Sequence, residues 1–260
     1  IASSKPVSSA IISSLRKLEY RGYDSAGIAT LSNGIMSEAK SEGRVDVLEK
    51  NPAVKKMLGS IGIGHVRWAT HGAPNVVNAH PHSSENVSVV HNGIIENASE
   101  LKNELLKTGY KFLSDTDSEV ITALITNFLN NGKPHLEAVK ETIKLLKGSY
   151  ALAIIFTDLV GTVIGAKNGS PLVAGTNGVS HFLGSDSLAL TSLATKICYL
   201  EDGDLVIIRS DNIEVFDSKN NLTNRPFEDH HITDNEVSKG SYSHFMEKEI
   251  HEQPRAVGDT

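Results

Sequence analysis

The residues with the clearest chemical potential lie in one stretch, 64–97, which contains GHVRWATHG and ends in VHNGIIEN. An apolar run from Val87 to Val90 predicts a strand that ends in a polar turn at Asn92 and Gly93. An Asn-Gly pair after a strand is most often a tight turn. It can also form an oxyanion hole, because a side-chain amide and a glycine N–H can both point at a developing negative charge. Both interpretations remain open from these residues alone.

A second polar loop, Arg67 to His71, comes just upstream. Arg67 could bind a ligand carboxylate through two parallel hydrogen bonds, although a single arginine is more often a surface or ion-pair residue. Trp68 would ordinarily be a packing anchor, while Thr70 and His71 add polar groups. We interpret the two loops as walls of one small-molecule site.

Two aspartates, Asp115 and Asp117, precede a predicted helix, where carboxylates commonly serve as N-caps. One of them could instead hold the ammonium group of an amino acid. Arg21 and Asp24 flank a turn rich in Gly and Tyr and would by themselves form a salt-bridged corner. An arginine, an aspartate and an oxyanion turn together suit a free amino acid. No nucleophile is evident, because Cys198 lies in an apolar strand without an adjacent base and is expected to be buried and inert.

The pair His80 and His82 has the H-x-H spacing that can bind a metal ion. No carboxylate or cysteine cluster with familiar ligand spacing is nearby, and Pro81 suggests a rigid corner. We therefore expect the histidines to be structural, and we predict neither a metal nor a cofactor.

Composition narrows the class of protein. A net charge of -6 argues against nucleic acid as the main partner. No apolar run approaches the roughly 20 residues that a membrane span needs, so we predict no membrane partner. A single cysteine fits a reducing compartment, and we expect a cytoplasmic location.

The periodicity predicts strands, then a block of helices, then strands again. The predicted helices span 6–18, 99–108, 117–130 and 136–146, and a charged segment from residue 242 could begin as a helix. The predicted strands span 26–31, 35–40, 61–66, 150–156, 160–166, 172–175, 181–184, 196–200, 205–209 and 213–216. Regular strand–helix alternation is missing, which favours a layered α+β domain with largely antiparallel sheets.

Five segments together resemble the class II glutamine amidotransferases: LEYRGYDSAG (18–27), HVRWATHG (65–72), NAHPH (78–82), VHNGIIEN (90–97) and SDTDSEV (114–120). EYRGYDSAG and the EIHEQP near the C-terminus favour members that aminate a sugar phosphate over amidophosphoribosyltransferase and asparagine synthetase. The resemblance implies an N-terminal-nucleophile hydrolase fold, with four αββα layers and antiparallel sheets. It also implies a glutaminase domain over residues 1–240 and, over 241–260, a linker towards a sugar-phosphate isomerase half of the same chain.

The resemblance further implies a reaction. A cysteine at the start of the mature chain attacks the side-chain amide of L-glutamine, with its own α-amino group as base, and the ammonia aminates fructose 6-phosphate in the other half. The residues that would serve this reaction share one site. They are Asn92 and Gly93 as oxyanion hole, Arg67 for the glutamine carboxylate with Thr70 and His71 nearby, Asp117 for the ammonium, Trp68 as a gate on the ammonia route, and Arg21 beside the nucleophile.

By the resemblance, the expected cysteine would precede Ile1 by about five or six residues, so we expect this chain by itself to be inactive in thiol chemistry. We also expect a homo-oligomer formed through the sugar-phosphate half. Two alternatives remain: a non-catalytic module that binds glutamine, and a class II amidotransferase with another acceptor.

Overall fold

The computed structural model describes residues 1–69 and 72–230, together with positions 247, 250, 251 and 253. Nearly all of the charged segment from residue 242 therefore lies outside the described residues. The helices are Ser8–Leu18 (α1), Val45–Lys50 (α2), Pro52–Lys55 (α3), Ala98–Lys107 (α4), Glu119–Asn130 (α5) and His135–Leu145 (α6). No helix in this part of the chain is long and apolar enough to cross a membrane.

The strands are short and follow one another closely along the chain. They are Ser25–Ser32 (β1), Ile35–Glu42 (β2), Ile61–Arg67 (β3), His82–Ser83 (β4), Val87–Ile95 (β5), Gly148–Phe156 (β6), Thr162–Asn168 (β7), Val173–Thr176 (β8), His181–Gly184 (β9), Lys196–Tyr199 (β10), Leu205–Arg209 (β11), Ile213–Phe216 (β12), Leu222–Thr223 (β13) and Glu228–Asp229 (β14). Every pairing between them is antiparallel, as predicted.

The strands form two sheets. One sheet has the order β13-β12-β11-β7-β6-β5-β4. The other consists of two parts, β2-β1-β3 and β14-β10-β8-β9, which Ala2 joins by bridging Ile61 on β3 and His181 on β9. The N-terminal residues therefore lie in the middle of this second sheet rather than at its edge.

Three hydrophobic cores separate four layers. Ile28 of β1 packs with α1 and α2, whereas the next residue, Ala29, faces the other sheet, because successive strand residues point to opposite faces. On β6, Ile154 packs against α4–α6 and Ile155 lies between the sheets. The order is therefore α1–α3, sheet, sheet, α4–α6, which confirms the predicted four-layer αββα arrangement.

Helix α1 lies directly on β3 because glycine leaves room for it. A Cβ atom on Gly64 would lie 2.4 Å from Cγ2 of Ile11 and 3.2 Å from Cδ1 of Leu15. The close approach sets the depth of α1 over the sheet. The chain leaves α1 through a 3₁₀ turn, Glu19–Arg21, so the same contact helps to place Arg21.

Strand β5 differs from its prediction. It runs past Val90 to Ile95, with Asn92 opposite Ala151 and Gly93 opposite Tyr150 on β6. The predicted strand end and the interpretation of Asn92-Gly93 as a tight turn are therefore wrong. The pair remains extended because β6 supplies a continuous antiparallel partner along this whole segment.

Candidate active site

A cavity of about 300 Å³ is lined by β3, β5, β6, the end of α1 and the segment after β9. This volume is at the low end for small-molecule sites and suits a ligand the size of an amino acid. All of the predicted site residues that the structure describes line this cavity: Arg21, Arg67, Trp68, Asn92, Gly93 and Asp117. Thr70 and His71 lie outside the described residues.

Gly93 holds β5 close to β6. Its φ of 130° is one that other residues rarely adopt, and a Cβ atom there would lie 2.0 Å from the carbonyl oxygen of Ser149. Only glycine fits this position without displacing β6. The backbone can consequently remain extended and still present the Asn92 side chain to the cavity.

The Asn92 side chain is held by a histidine that the sequence did not single out. Its Oδ1 lies 2.9 Å from Nε2 of His65, which is on β3 in the facing sheet. The hydrogen bond therefore crosses from one sheet to the other at the cavity wall. His65 belongs to HVRWATHG, but nothing in that motif indicates which side chain it contacts.

Arg67 is the last residue of β3, and its side chain is buried. The guanidinium donates to the carbonyl oxygens of Ala73 and Gly72, each at 3.2 Å. Burial lowers its pKa, while Asp24 and Asp117 raise it and so favour the charged form. A buried guanidinium with two carboxylates in its surroundings is a fixed cation on the cavity wall.

Asp117 is tied to the end of β5. Its Oδ2 accepts a hydrogen bond from the backbone N–H of Ile95 at 2.8 Å. Ser118 is the N-cap residue of α5 and makes no side-chain capping bond, so Asp117 is not the N-cap that one interpretation predicted. Asp115 is not among the residues that line the cavity. The structure thus distinguishes two aspartates that the sequence left equivalent.

Trp68 and Arg21 lie at the mouth of the cavity. The Trp68 side chain is 66% exposed, so it is a rim residue and not a core anchor. Nη1 of Arg21 lies 3.6 Å from Oδ2 of Asp186, which also accepts a hydrogen bond from the Tyr20 hydroxyl at 2.7 Å. Asp24, the expected partner of Arg21, instead accepts a hydrogen bond from the N–H of Ala69 at 2.8 Å.

A cluster of four buried histidines, His65, His80, His82 and His91, lies at the cavity, and all of them except His82 line it. The ring centroids of His65 and His80 are 4.2 Å apart, and those of His80 and His82 are 4.7 Å apart. His82 and His91 bond to hydroxyl groups: Nε2 of His82 lies 2.9 Å from Thr116 Oγ1, and Nδ1 of His91 lies 2.8 Å from Ser118 Oγ.

Burial keeps these imidazoles neutral. It lowers the pKa of His65 to about 4 and that of His82 to about 3, with nearby positive groups adding to the effect. Burial also lowers the pKa of His80 and His91, although Asp117 opposes the shift at His91. Among the described residues, no group of three or more His, Cys, Asp or Glu side chains is arranged to hold a metal ion.

Cys198 is buried, as predicted, and does not line the cavity. It lies on β10 in the core between the two sheets. Burial, the largest cause, raises the pKa of its thiol to about 11, so the thiolate is scarce near neutral pH.

Similarity to known proteins agrees with this geometry. A family model described as a glutamine amidotransferase domain matches residues 75–192. The glutamine–fructose-6-phosphate aminotransferase (isomerizing) of Mesorhizobium japonicum is 46% identical over 96% of this chain and 41% of its own length. The protein of the same name from Zymomonas mobilis is 47% identical over 98% of this chain and 42% of its own length. The chain belongs to the class II glutamine amidotransferases.

The fold supports the same assignment. The glutamine phosphoribosylpyrophosphate amidotransferase of B. subtilis superposes with a TM-score of 0.74 at 26% identity, covering 85% of this chain and 49% of that one. The predicted N-terminal-nucleophile hydrolase fold is therefore confirmed for this class II amidotransferase. The chain spans about two-fifths of the length of the curated relatives it matches.

Proposed function

We propose that this class II amidotransferase chain is the glutaminase half of a glutamine–fructose-6-phosphate aminotransferase. It would release ammonia from L-glutamine for transfer to fructose 6-phosphate. The observation that carries the proposal is the shared cavity of Arg67, Asp117, Asn92 and Gly93. These groups match the charges and the acyl centre of one glutamine molecule.

The cavity suggests one pose for the substrate. The α-carboxylate binds the guanidinium of Arg67, and the α-ammonium binds the carboxylate of Asp117. The side-chain amide then extends towards Asn92 and Gly93. When a thiolate adds to the amide carbon, its oxygen becomes an anion that the Asn92 amide and the Gly93 N–H stabilise. The C–N bond then breaks, and the departing NH2 group takes the proton that the α-amino group removed from the thiol and leaves as ammonia. Water then hydrolyses the resulting thioester to glutamate and the free thiol.

The sheet register supports a nucleophile upstream of Ile1. Ile1 pairs with Gly62 through two backbone hydrogen bonds of 2.8 and 3.0 Å, and Ala2 bridges Ile61 in antiparallel sense. A strand continued upstream would advance one residue along β3 for each residue added. Its fifth residue would lie opposite Arg67, because Arg67 is five residues beyond Gly62. A cysteine there would be next to the proposed substrate site.

The identity of the ammonia acceptor, fructose 6-phosphate, is inferred from the names of the relatives. Proteins 44–47% identical to this chain over nearly its whole length are named glutamine–fructose-6-phosphate aminotransferase. We infer that residues 1–240 form the glutaminase domain and that 241–260 lead towards a sugar-phosphate isomerase half. The complete enzyme would then be a cytoplasmic homo-oligomer that assembles through that half.

A glutamate-release assay on the protein encoded by the complete gene tests the proposal. We expect turnover of L-glutamine that disappears when the upstream cysteine is replaced by alanine. Cys198→Ala is the matched control and should retain turnover, because this thiol lies outside the cavity. Turnover that survives loss of the upstream cysteine would refute the mechanism. Glutamine binding without glutamate release by the complete protein would instead identify a non-catalytic module.

A further inference from the structure

We propose that His65 is a positioning residue that fixes which end of the Asn92 amide faces the substrate. The proposal rests on the function proposed above, because it concerns the oxyanion donor of that reaction. It assigns His65 a role through Asn92 and not through contact with glutamine.

The direction in which the Asn92 amide points decides whether this side chain stabilises or destabilises the oxyanion. A side-chain amide has an acceptor end, Oδ1, and a donor end, Nδ2, that are nearly equal in size. With Nδ2 towards the cavity, the amide stabilises an oxyanion. With Oδ1 towards the cavity, it repels one. Shape alone cannot select between the two, so a hydrogen bond must do so.

The contact with His65 makes that selection. Oδ1 of Asn92 lies 2.9 Å from Nε2 of His65. Because Oδ1 can only accept, Nε2 must carry the hydrogen and donate it. With Oδ1 engaged by His65, Nδ2 is the end that remains for the cavity, which Asn92 lines.

The protonation state of the imidazole suits this task. Burial lowers the pKa of His65 to about 4, so the ring is neutral near pH 7 and has a single N–H. The donor bond to Asn92 therefore fixes the tautomer. His80 contacts the ring of His65 with a centroid separation of 4.2 Å and an interplanar angle of 36°, which restricts its rotation. A neutral, packed donor orients the amide without adding a charge to the glutamine site.

The test is a double-mutant cycle in the protein encoded by the complete gene, with glutamate release as the assay. We expect His65→Leu to lower kcat by roughly 3- to 10-fold, the loss expected for one hydrogen bond. KM for glutamine should change by less than about 2-fold, since His65 does not hold the substrate in its ground state. His65→Gln offers an amide N–H in place of Nε2–H and should restore most of kcat.

The double-mutant cycle distinguishes an effect of His65 that acts through Asn92 from an effect of the substitution that does not depend on Asn92. In an Asn92→Ala background, His65→Leu should change kcat by less than about 2-fold, because the group through which it acts is gone. His82→Leu is the matched control, since His82 belongs to the same cluster but does not line the cavity. Its kcat should stay within about 2-fold of wild type.

The outcomes are distinct. Absence of turnover in the wild-type protein would refute the proposed function before His65 is tested. With wild-type turnover present, equal losses from His65→Leu in both backgrounds would overturn the positioning role. A His65→Gln protein as slow as His65→Leu, with an unchanged melting temperature, would overturn it as well.

Discussion

Acidification from pH 7 to pH 5 should destabilise this protein through its buried histidines, and His82 gives the clearest test. Its folded-state pKa is about 3, chiefly because of burial, with Lys40, His65, Arg67 and His91 also disfavouring the charge. In the unfolded chain a histidine titrates near pH 6.5. Below that pH the unfolded state binds a proton that the folded state does not. Stability is therefore fully present above pH 6.5 and is lost as the pH falls.

The magnitude follows from proton linkage. For one imidazole with these two pKa values, the free energy of unfolding falls by about 2 kcal/mol between pH 7 and pH 5. His65, with a folded-state pKa of about 4, adds a similar loss of about 2 kcal/mol. The window above pH 5 lies above the ordinary range of carboxyl pKa values, so it isolates the histidines.

Urea denaturation followed by circular dichroism at pH 7, 6 and 5 measures this effect. His82→Gln can still bond to Thr116 but cannot take up a proton, so it should lose about 2 kcal/mol less than wild type between pH 7 and pH 5. The difference should persist in high salt, because salt screens surface charges and not burial. Equal pH dependence in the variant and the wild type would refute the assignment of His82 as a buried neutral group.

Other predictions concern the cavity and its supporting strand. In the complete gene product, Asn92→Ala should lower kcat for glutamine roughly 100-fold or more with a smaller effect on binding; a loss in binding alone would limit Asn92 to a structural role. Arg67→Lys should weaken glutamine binding roughly 10-fold or more by calorimetry, because a point charge replaces a fork; unchanged affinity would remove Arg67 from the site. Gly93→Ala should lower the free energy of unfolding by about 3 kcal/mol or more, since its Cβ would lie 2.0 Å from Ser149 O. Gly109→Ala, also at positive φ but with nothing within 4 Å, should cost only about 1 kcal/mol, and an equal cost at both positions would contradict the steric argument.

The sequence predicted the helices and strands because their signals are local, whereas the order of the four layers was implied by the resemblance to class II amidotransferases. Alternating apolar residues and helical periodicity lie within each element. Between the paired strands β1 and β2, Asn33 and Gly34 have the left-handed φ values of the hairpin turn that an Asn-Gly pair favours. The same local rule failed at Asn92-Gly93. There the partner strand β6 keeps the pair extended, and a rule based on two residues cannot detect a strand that begins 55 residues later.

The residues of the site could be predicted, but the hydrogen bonds that hold them in place could not. Arg67 could be singled out because a cation in a polar segment suits the carboxylate of an amino-acid ligand, whereas the choice of Asp117 over Asp115 came from the resemblance. Their anchors could not be predicted, since the Ile95 N–H that bonds Asp117 and the Gly72 and Ala73 carbonyls that bond Arg67 are backbone groups. Side-chain type carries no information about them.

The contact between His65 and Asn92 could not be predicted from the sequence for a related reason. It joins two sheets, and no periodicity along either strand specifies how the sheets face each other. Asp186 was missed similarly, because its link to Arg21 depends on how α1 meets the segment after β9.

The close packing of α1 on Gly64 has a consequence for engineering the cavity. Position 64 should tolerate few substitutions in a mutational scan, because even a methyl group would press on Ile11. Loss of volume at Ile11 could compensate, so substitutions at these two positions should rescue each other. A library that varies residues 11 and 64 together would shift α1, and with it Arg21, relative to β3. Such a library would vary the width of the cavity while every polar group in it stays the same.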